Sequence, residues 1–147
     1  MRYTFLLSAL LSAPMLFGQN ALPDSLWQGR PATLLFFTHT WCAPCWAAYE
    51  PLRAAEQSCP EQLSVWALHL DTEQKDWLKI ANRKGVSAPL RHSWEAGRNQ
   101  AWADALGYPG IPFFVLLDAS GNVQKRWLGA RMRKLRRTLR KACRPER

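Results

Sequence analysis

Thr33-Leu34-Leu35-Phe36-Phe37 is apolar at every position but its first. Such a run predicts a strand covered on both faces rather than an edge strand with one wet side. From Pro44 to Gln57 the spacing becomes helical, with Pro51 inside the segment and Cys59-Pro60 ending it. Leu63 to Leu70 alternates in part and ends at Asp71, a second strand. Thr72 to Lys84 is helical and closes at Gly85, a short extended piece is expected around Val86 to Leu90, and Glu95 to Leu106 is a further helix ending at Gly107. Phe113 to Leu117 is another apolar strand. Asp118 to Asn122 is rich in turn residues, so Val123 to Leu128 returns as an antiparallel partner. The order strand, helix, strand, helix implies parallel pairing with helices over the sheet, and the hairpin closes it.

At either end of this core the pattern changes. Residues 1–18 carry Arg2, then an apolar stretch broken by Ser and Pro, and no acid. This is a signal-peptide pattern, shorter than the roughly 20 apolar residues of a spanning helix. Residues 1–21 are therefore read as an export leader, with retention as an N-terminal anchor as the alternative, and residues 22–147 as one domain. Leu22 to Pro31 is a lead-in, with a helix-start signal at Pro23-Asp24-Ser25 and a break at Gly29-Arg30-Pro31. Export places the chain in an oxidising, extracytoplasmic compartment such as a periplasm.

The 147-residue chain has a formal charge of +9, and its location matters more than its size. From Lys125 onward there are eleven Lys/Arg against the single acid Glu146, while residues 1–124 hold nine basic and ten acidic groups. Apolar residues at 128, 132, 135 and 139 make the Arg131 to Lys141 run one amphipathic helix. Its basic side is either a solvated face or a contact surface for an anionic lipid or acidic partner. Nucleic acid is a poor partner for an exported chain. No phosphate-binding glycine loop, internal repeat or glycosylation acceptor is present.

The candidate chemistry lies at Trp41-Cys42-Ala43-Pro44-Cys45, between the first strand and the first helix. A cysteine at the mouth of a helix meets free N–H groups and the positive end of the dipole. That environment moves a thiol pKa from about 8.5 into a range of roughly 3.5 to 7.5. Cys42 is thereby the attacking sulfur. Cys45, one turn along, is placed to resolve a mixed disulfide. A zinc site would need a second close pair, and neither Cys59 and Cys143 nor His39, His69 and His92 has such spacing. A purely structural disulfide is the other alternative.

Joined to the downstream Gly110-Ile111-Pro112, an apolar strand, Asp-x-x-Gly-Asn and a strand ending at Gly129, this motif resembles the thioredoxin superfamily. The likeness runs over nearly all of the chain after residue 25. Within the superfamily it is most similar to exported TlpA/ResA-like thiol-disulfide oxidoreductases, because the 70 residues between Cys42 and Pro112 leave room for an extra strand and helix. The resemblance implies a three-layer α/β sandwich with a central mixed sheet, a C-terminal antiparallel hairpin and helices on both faces. It also implies that Pro112 is a cis proline which, with Ile111, lines up substrate backbone across from the sulfurs. Trp41 would shield the disulfide, and Ala43-Pro44 is nearer to reductant-type dipeptides than to those of strong oxidants. His39, three residues before Cys42, would favour the thiolate if protonated.

One position departs from the pattern. Phe36 stands where many thioredoxins bury an acid that takes the proton of the second cysteine. Glu50 is no obvious replacement, since five positions after Cys45 it lies about 140° round the helix. Solvent is then the proton acceptor. In the implied fold, the first and last helices lie on the same side of the sheet and run the same way. Cys59 and Cys143, each about 14 residues and ~21 Å from its helix start, would meet as a structural disulfide; two unpaired thiols are the alternative.

These features converge on an extracytoplasmic thiol-disulfide oxidoreductase with no cofactor or metal. It would act as a monomer on client proteins carrying disulfides or thiols, in exchange with a further redox partner, with flow towards client reduction. A DsbA-type oxidase and a redox-inactive binding module that uses the basic helix are the alternatives.

Overall fold

Ala32–Thr38 forms β1, and six of its seven residues are buried. Period-two alternation sends Leu34 and Phe36 into one core and Leu35 and Phe37 into another. The computed structural model describes residues 22–27, 29–87 and 90–145. After β1 come α1 (Ala43–Ser58), β2 (Leu63–His69), α2 (Gln74–Lys84), β3 (Arg91–Ser93) and α3 (Ala96–Ala105). The hairpin β4 (Phe113–Asp118) and β5 (Val123–Leu128) and the helix α4 (Met132–Ala142) complete the order. A 3-10 turn at Asp24–Leu26 precedes them. The expected leader, residues 1–21, lies outside the described residues, among which no helix is long and apolar enough to cross a membrane.

The five strands run in the order β3-β2-β1-β4-β5. Pairings β1–β2 and β2–β3 are parallel, as the intervening helices demand, whereas β1–β4 and β4–β5 are antiparallel. This is the expected mixed sheet with helices on both faces. One core joins the inner residues of α1, α2 and α4, among them Tyr49, Leu52, Trp77, Leu135 and Leu139. The other holds Leu26, Trp102 and Ala103 beneath Phe113, Val115 and Leu117.

The hairpin turn is built by one carboxylate. Asp118 accepts from the backbone N–H groups of Ser120 and Asn122, both at 2.9 Å, and from the Asn122 and Gln124 side chains. Those donors hold its carboxyl below the usual range. Gly121 at φ +81° completes the turn, and a Cβ there would come within 2.5 Å of the Trp27 indole.

The third strand corrects the sequence reading. The extended piece expected at 86–90 is instead Arg91–Ser93, with Ala88 and Pro89 outside the described residues. Three residues of mixed polarity carry no readable period, and β3 is defined by pairing with Trp66, Ala67 and Leu68. At the far end of the sandwich, Cys59 caps α1 and Cys143 caps α4. Their sulfurs are bonded, with the Cα atoms 5.5 Å apart and the two cysteines 84 positions apart in sequence.

A bridge over so long a loop restricts the unfolded chain strongly. Replacing Cys59 and Cys143 together by Ser is expected to cost about 2–4 kcal/mol in denaturant unfolding of the oxidised protein. An unchanged midpoint would show that the bridge does not contribute.

Candidate active site

Helix α1 begins at a cysteine. Cys42 has extended backbone (φ −86°, ψ 99°) in the N-cap position, and its sulfur accepts from the Cys45 N–H at 3.1 Å. Sulfur here does what Ser or Asp does in an ordinary cap, serving one of the four N–H groups that a helix start leaves unpaired. Pro44 sits in the first turn, where a missing N–H costs nothing, and no acid lies in that turn to oppose a developing thiolate. The Cys42 and Cys45 sulfurs are bonded, with Cα atoms 5.2 Å apart. Cys42 is 4% exposed and Cys45 fully buried, so the first sulfur is the one with an opening to solvent.

Three contacts hold the turn that presents Cys42. The Thr40 N–H and hydroxyl both donate to the Asp71 carboxylate, the hydroxyl at 2.7 Å. The Trp46 indole N–H donates to the Thr40 carbonyl at 2.7 Å, and the Cys42 N–H reaches the His39 carbonyl at 3.3 Å. Asp71 thus fixes the loop from β2, 31 positions away in sequence. The sequence reading treated Asp71 only as the end of a strand. Its one visible signal was an acid at the same strand end from which the neighbouring strand launches the cysteines.

The remaining expected residues fall around this turn. What His39 gives Cys42 directly is its carbonyl; its ring lies 3.5 Å from the Asp71 carboxylate and 5.0 Å from the Trp41 ring. Trp41 is 72% exposed and lies outside the core. The Ile111–Pro112 peptide is cis. Because Phe37 pairs with Phe113, Pro112 comes one step beyond, beside the end of β1 from which the cysteine turn departs. Ile111 packs on the core cluster that contains both sulfurs, and the Pro112 carbonyl accepts from Gly129 N–H at 2.8 Å. Ala43 and Pro44 are exposed. Glu50 is also exposed and pairs with Arg53 at 2.5 Å. Phe36 is fully buried, stacked on Phe114 at 5.1 Å and edge-on to Tyr49 at 5.3 Å. Cys59 and Cys143 lie at the opposite ends of their helices.

Behind the turn is a buried group that spacing did not reveal. His69, paired in register with Thr38, meets His92 through Nε2 and Nδ1 at 2.8 Å and stacks on Trp94 at 4.0 Å. Burial, with His92 beside it, holds its pKa down to about 3, so the ring is neutral. The His69 Nδ1 is buried without a partner. In the tautomer with its proton on Nε2, His69 donates to His92 and leaves Nδ1 as the unpaired acceptor. Next to this pair, Trp77 donates to the Tyr49 hydroxyl at 3.2 Å. Burial pushes the Tyr49 pKa up and keeps that hydroxyl protonated.

A family model described as thioredoxin-like matches residues 31–123, from the approach to β1 to the start of β5. The chain belongs to the thioredoxin-like family. No curated protein matches it in sequence. Among solved structures, this thioredoxin-like chain is similar to a putative thiol:disulfide interchange protein DsbE from Chlorobium tepidum. That match has 21% identity and a TM-score of 0.69, over 81% of this chain and 83% of the other. It is also similar to StoA from Bacillus subtilis, at 17% identity and TM-score 0.57 over 75% and 82%. A secreted Mycobacterium tuberculosis disulfide oxidoreductase matches at 14% identity and TM-score 0.59, over 80% and 85%. At these identities the likeness is one of fold.

The neutral His69 has a consequence for acid stability. Its folded pKa of about 3 lies below the ordinary 6.5, so its contribution is complete above pH 6.5 and is lost as pH falls towards 3. His69→Phe, which keeps the stacking, is expected to show a shallower fall in urea midpoint across that window than the parent. Equal slopes would contradict the assignment.

Proposed function

We propose that the chain is a thiol-disulfide oxidoreductase that exchanges disulfides with client proteins outside the cytoplasm, working as a reductant. One observation carries this reading: Cys42 caps α1 within bonding reach of Cys45, on the same rim as the cis Ile111–Pro112 bond. In the reduced protein, the Cys42 thiolate attacks one sulfur of a client disulfide. The client S–S bond breaks, a mixed disulfide forms, and the departing client thiolate takes up a proton. Cys45 then gives its proton to solvent and attacks the Cys42 sulfur. The Cys42–Cys45 disulfide forms, the second client thiolate leaves, and two electrons have passed to the client. A partner dithiol restores the reduced pair by the reverse exchange.

The other residues have supporting parts in this proposal. Ile111 and Pro112 align the client backbone, exposed Trp41 contacts it beside the sulfurs, and Ala43-Pro44 starts the helix. A protonated His39 would add positive charge to the turn. Phe36 leaves no carboxylate at its position, so water is the acceptor for the Cys45 proton. The leader pattern of residues 1–21 supports an extracytoplasmic location. So does the likeness in fold to a secreted disulfide oxidoreductase. Direction rests on the Ala-Pro dipeptide and is the part a potential measurement decides. A value near −270 mV agrees with a reductant, and one near −120 mV would make the chain an oxidant.

Insulin reduction in the presence of a dithiol tests the chemistry. Cys42→Ser is expected to abolish it, and Cys45→Ala to accumulate a mixed disulfide on Cys42 that dithiol treatment releases. A parent protein with no more activity than Cys42→Ser would leave only a redox-inactive scaffold.

A further inference from the structure

Helix α4 buries Leu135, Thr138 and Leu139 and turns a dense row of cations outward. Arg131, Arg133, Arg136, Arg137, Arg140, Lys141 and Arg144 are exposed, and Lys134 is half-buried beside them. Among the described residues no ion pair reaches any of them. Glu50, which lines the groove between α1 and α4 with Arg136 and Arg140, is paired with Arg53 instead. Charge repulsion within the helix is unrelieved: Arg133 and Arg137, Arg136 and Arg140, and Arg137 and Lys141 are like charges four apart. Arg131, Arg133 and Lys134 also crowd the positive end of the helix dipole, and the first turn has no acid. The field extends to β5, where Lys125, hydrogen-bonded to Thr138, has its pKa lowered by burial and then by Lys134, Arg137 and Lys141. Among the described residues nothing balances this charge, and the face is a field suited to an external anion.

Its position connects it to the sulfurs. Gly129 donates to the Pro112 carbonyl and Arg131 to the Gly129 carbonyl, so α4 starts at the cis-proline rim. The far end of the helix is tied to Cys59, at the opposite end of α1 from Cys42. The cations therefore begin beside the cysteines and run away from them for about 15 Å, at 1.5 Å per residue. An extended polypeptide covers that length in about five residues.

We infer that the exposed cationic face of α4 selects polypeptide clients that carry a cluster of Asp or Glu within a few residues of the exchanging cysteine. The inference rests on the oxidoreductase reading and names its substrate class. The partner is a polypeptide rather than a lipid surface because the apolar side of α4 already lies in the core. None of the exposed large apolar residues, Trp41, Leu78, Val123 and Leu128, is on this helix, so it has nothing to insert between acyl chains. Trp41 lies instead beside the reactive sulfur, where a client chain passes.

The test uses two synthetic peptides with the same intramolecular disulfide, one flanked by four Glu and the other by four Gln, reduced by the full chain in single turnover. The Glu peptide is expected to react about tenfold faster at low ionic strength, with the advantage lost near 0.5 M salt. Arg136→Gln, Arg137→Gln, Arg140→Gln and Lys141→Gln combined should remove the preference. The corresponding Arg→Lys replacements should keep it, as should Lys75→Gln with Lys79→Gln on α2. Equal rates for the two peptides with the parent protein, or a preference that survives the fourfold Gln change, would overturn the inference while leaving the exchange chemistry standing. Failure to reduce either peptide would overturn the oxidoreductase reading itself. Co-sedimentation with phosphatidylglycerol-containing vesicles and no peptide preference would assign the face to lipid and overturn the client inference.

Discussion

The contact between the Cys45 N–H and the Cys42 sulfur is the point on which the proposed chemistry depends. A helix start leaves N–H groups without partners, and here the group that answers them is a sulfur. The same geometry serves two redox states. In the disulfide, the second cysteine is already one turn along from the first. In the dithiol, the free N–H groups and the dipole favour charge on Cys42 while Cys45 remains buried. The asymmetry of the pair follows from where α1 begins, and needs no charged side chain in the first turn.

A helix start can do this only if it is held still. The turn that leads into α1 is secured by Asp71, just beyond the end of β2, and by the Trp46 indole folded back onto Thr40. Beneath it, Phe36, Phe114 and Trp127 are register partners on β1, β4 and β5 and form a stacked row at 5.1 and 5.0 Å. That row explains the phenylalanine at position 36. A carboxylate there would lie fully buried between the Phe114 face and the Tyr49 ring, where desolvation makes it costly. The protein has a continuous aromatic floor at this point, and in the proposed exchange the resolving step has no buried carboxylate there to serve as its base.

The order of elements, the mixed sheet and the hairpin were legible because each leaves a local trace: an apolar run, a helical period, or Asp-x-x-Gly-Asn at the turn. The cysteine motif was legible for the same reason. Other features have no local trace. Asp71 acts on Thr40 across 31 positions, and His69 meets His92 across 23, distances at which periodicity carries no signal. Ligand spacing along the chain separated those two histidines, yet parallel pairing of β2 and β3 brings them together. Strand β3 was misplaced because pairing, rather than composition, makes it a strand. The ring of His39 has its nearest charged neighbour in Asp71, whose place in the fold the sequence reading did not foresee.

Function divides along the length of one helix pair. At the end where α1 and α4 begin lie the Cys42–Cys45 pair, the cis-proline rim and the first cations of α4; at the other end Cys59 and Cys143 join the two helices. The central claim concerns the first of these ends, and the most direct measurement is a titration of the Cys42 thiol in the reduced full-length protein. It can be followed by thiolate ultraviolet absorbance and by the pH dependence of alkylation, with Cys42→Ser as the blank. The account predicts an inflection between roughly 3.5 and 7.5. An inflection at or above about 8.5, that of an ordinary cysteine, would contradict it.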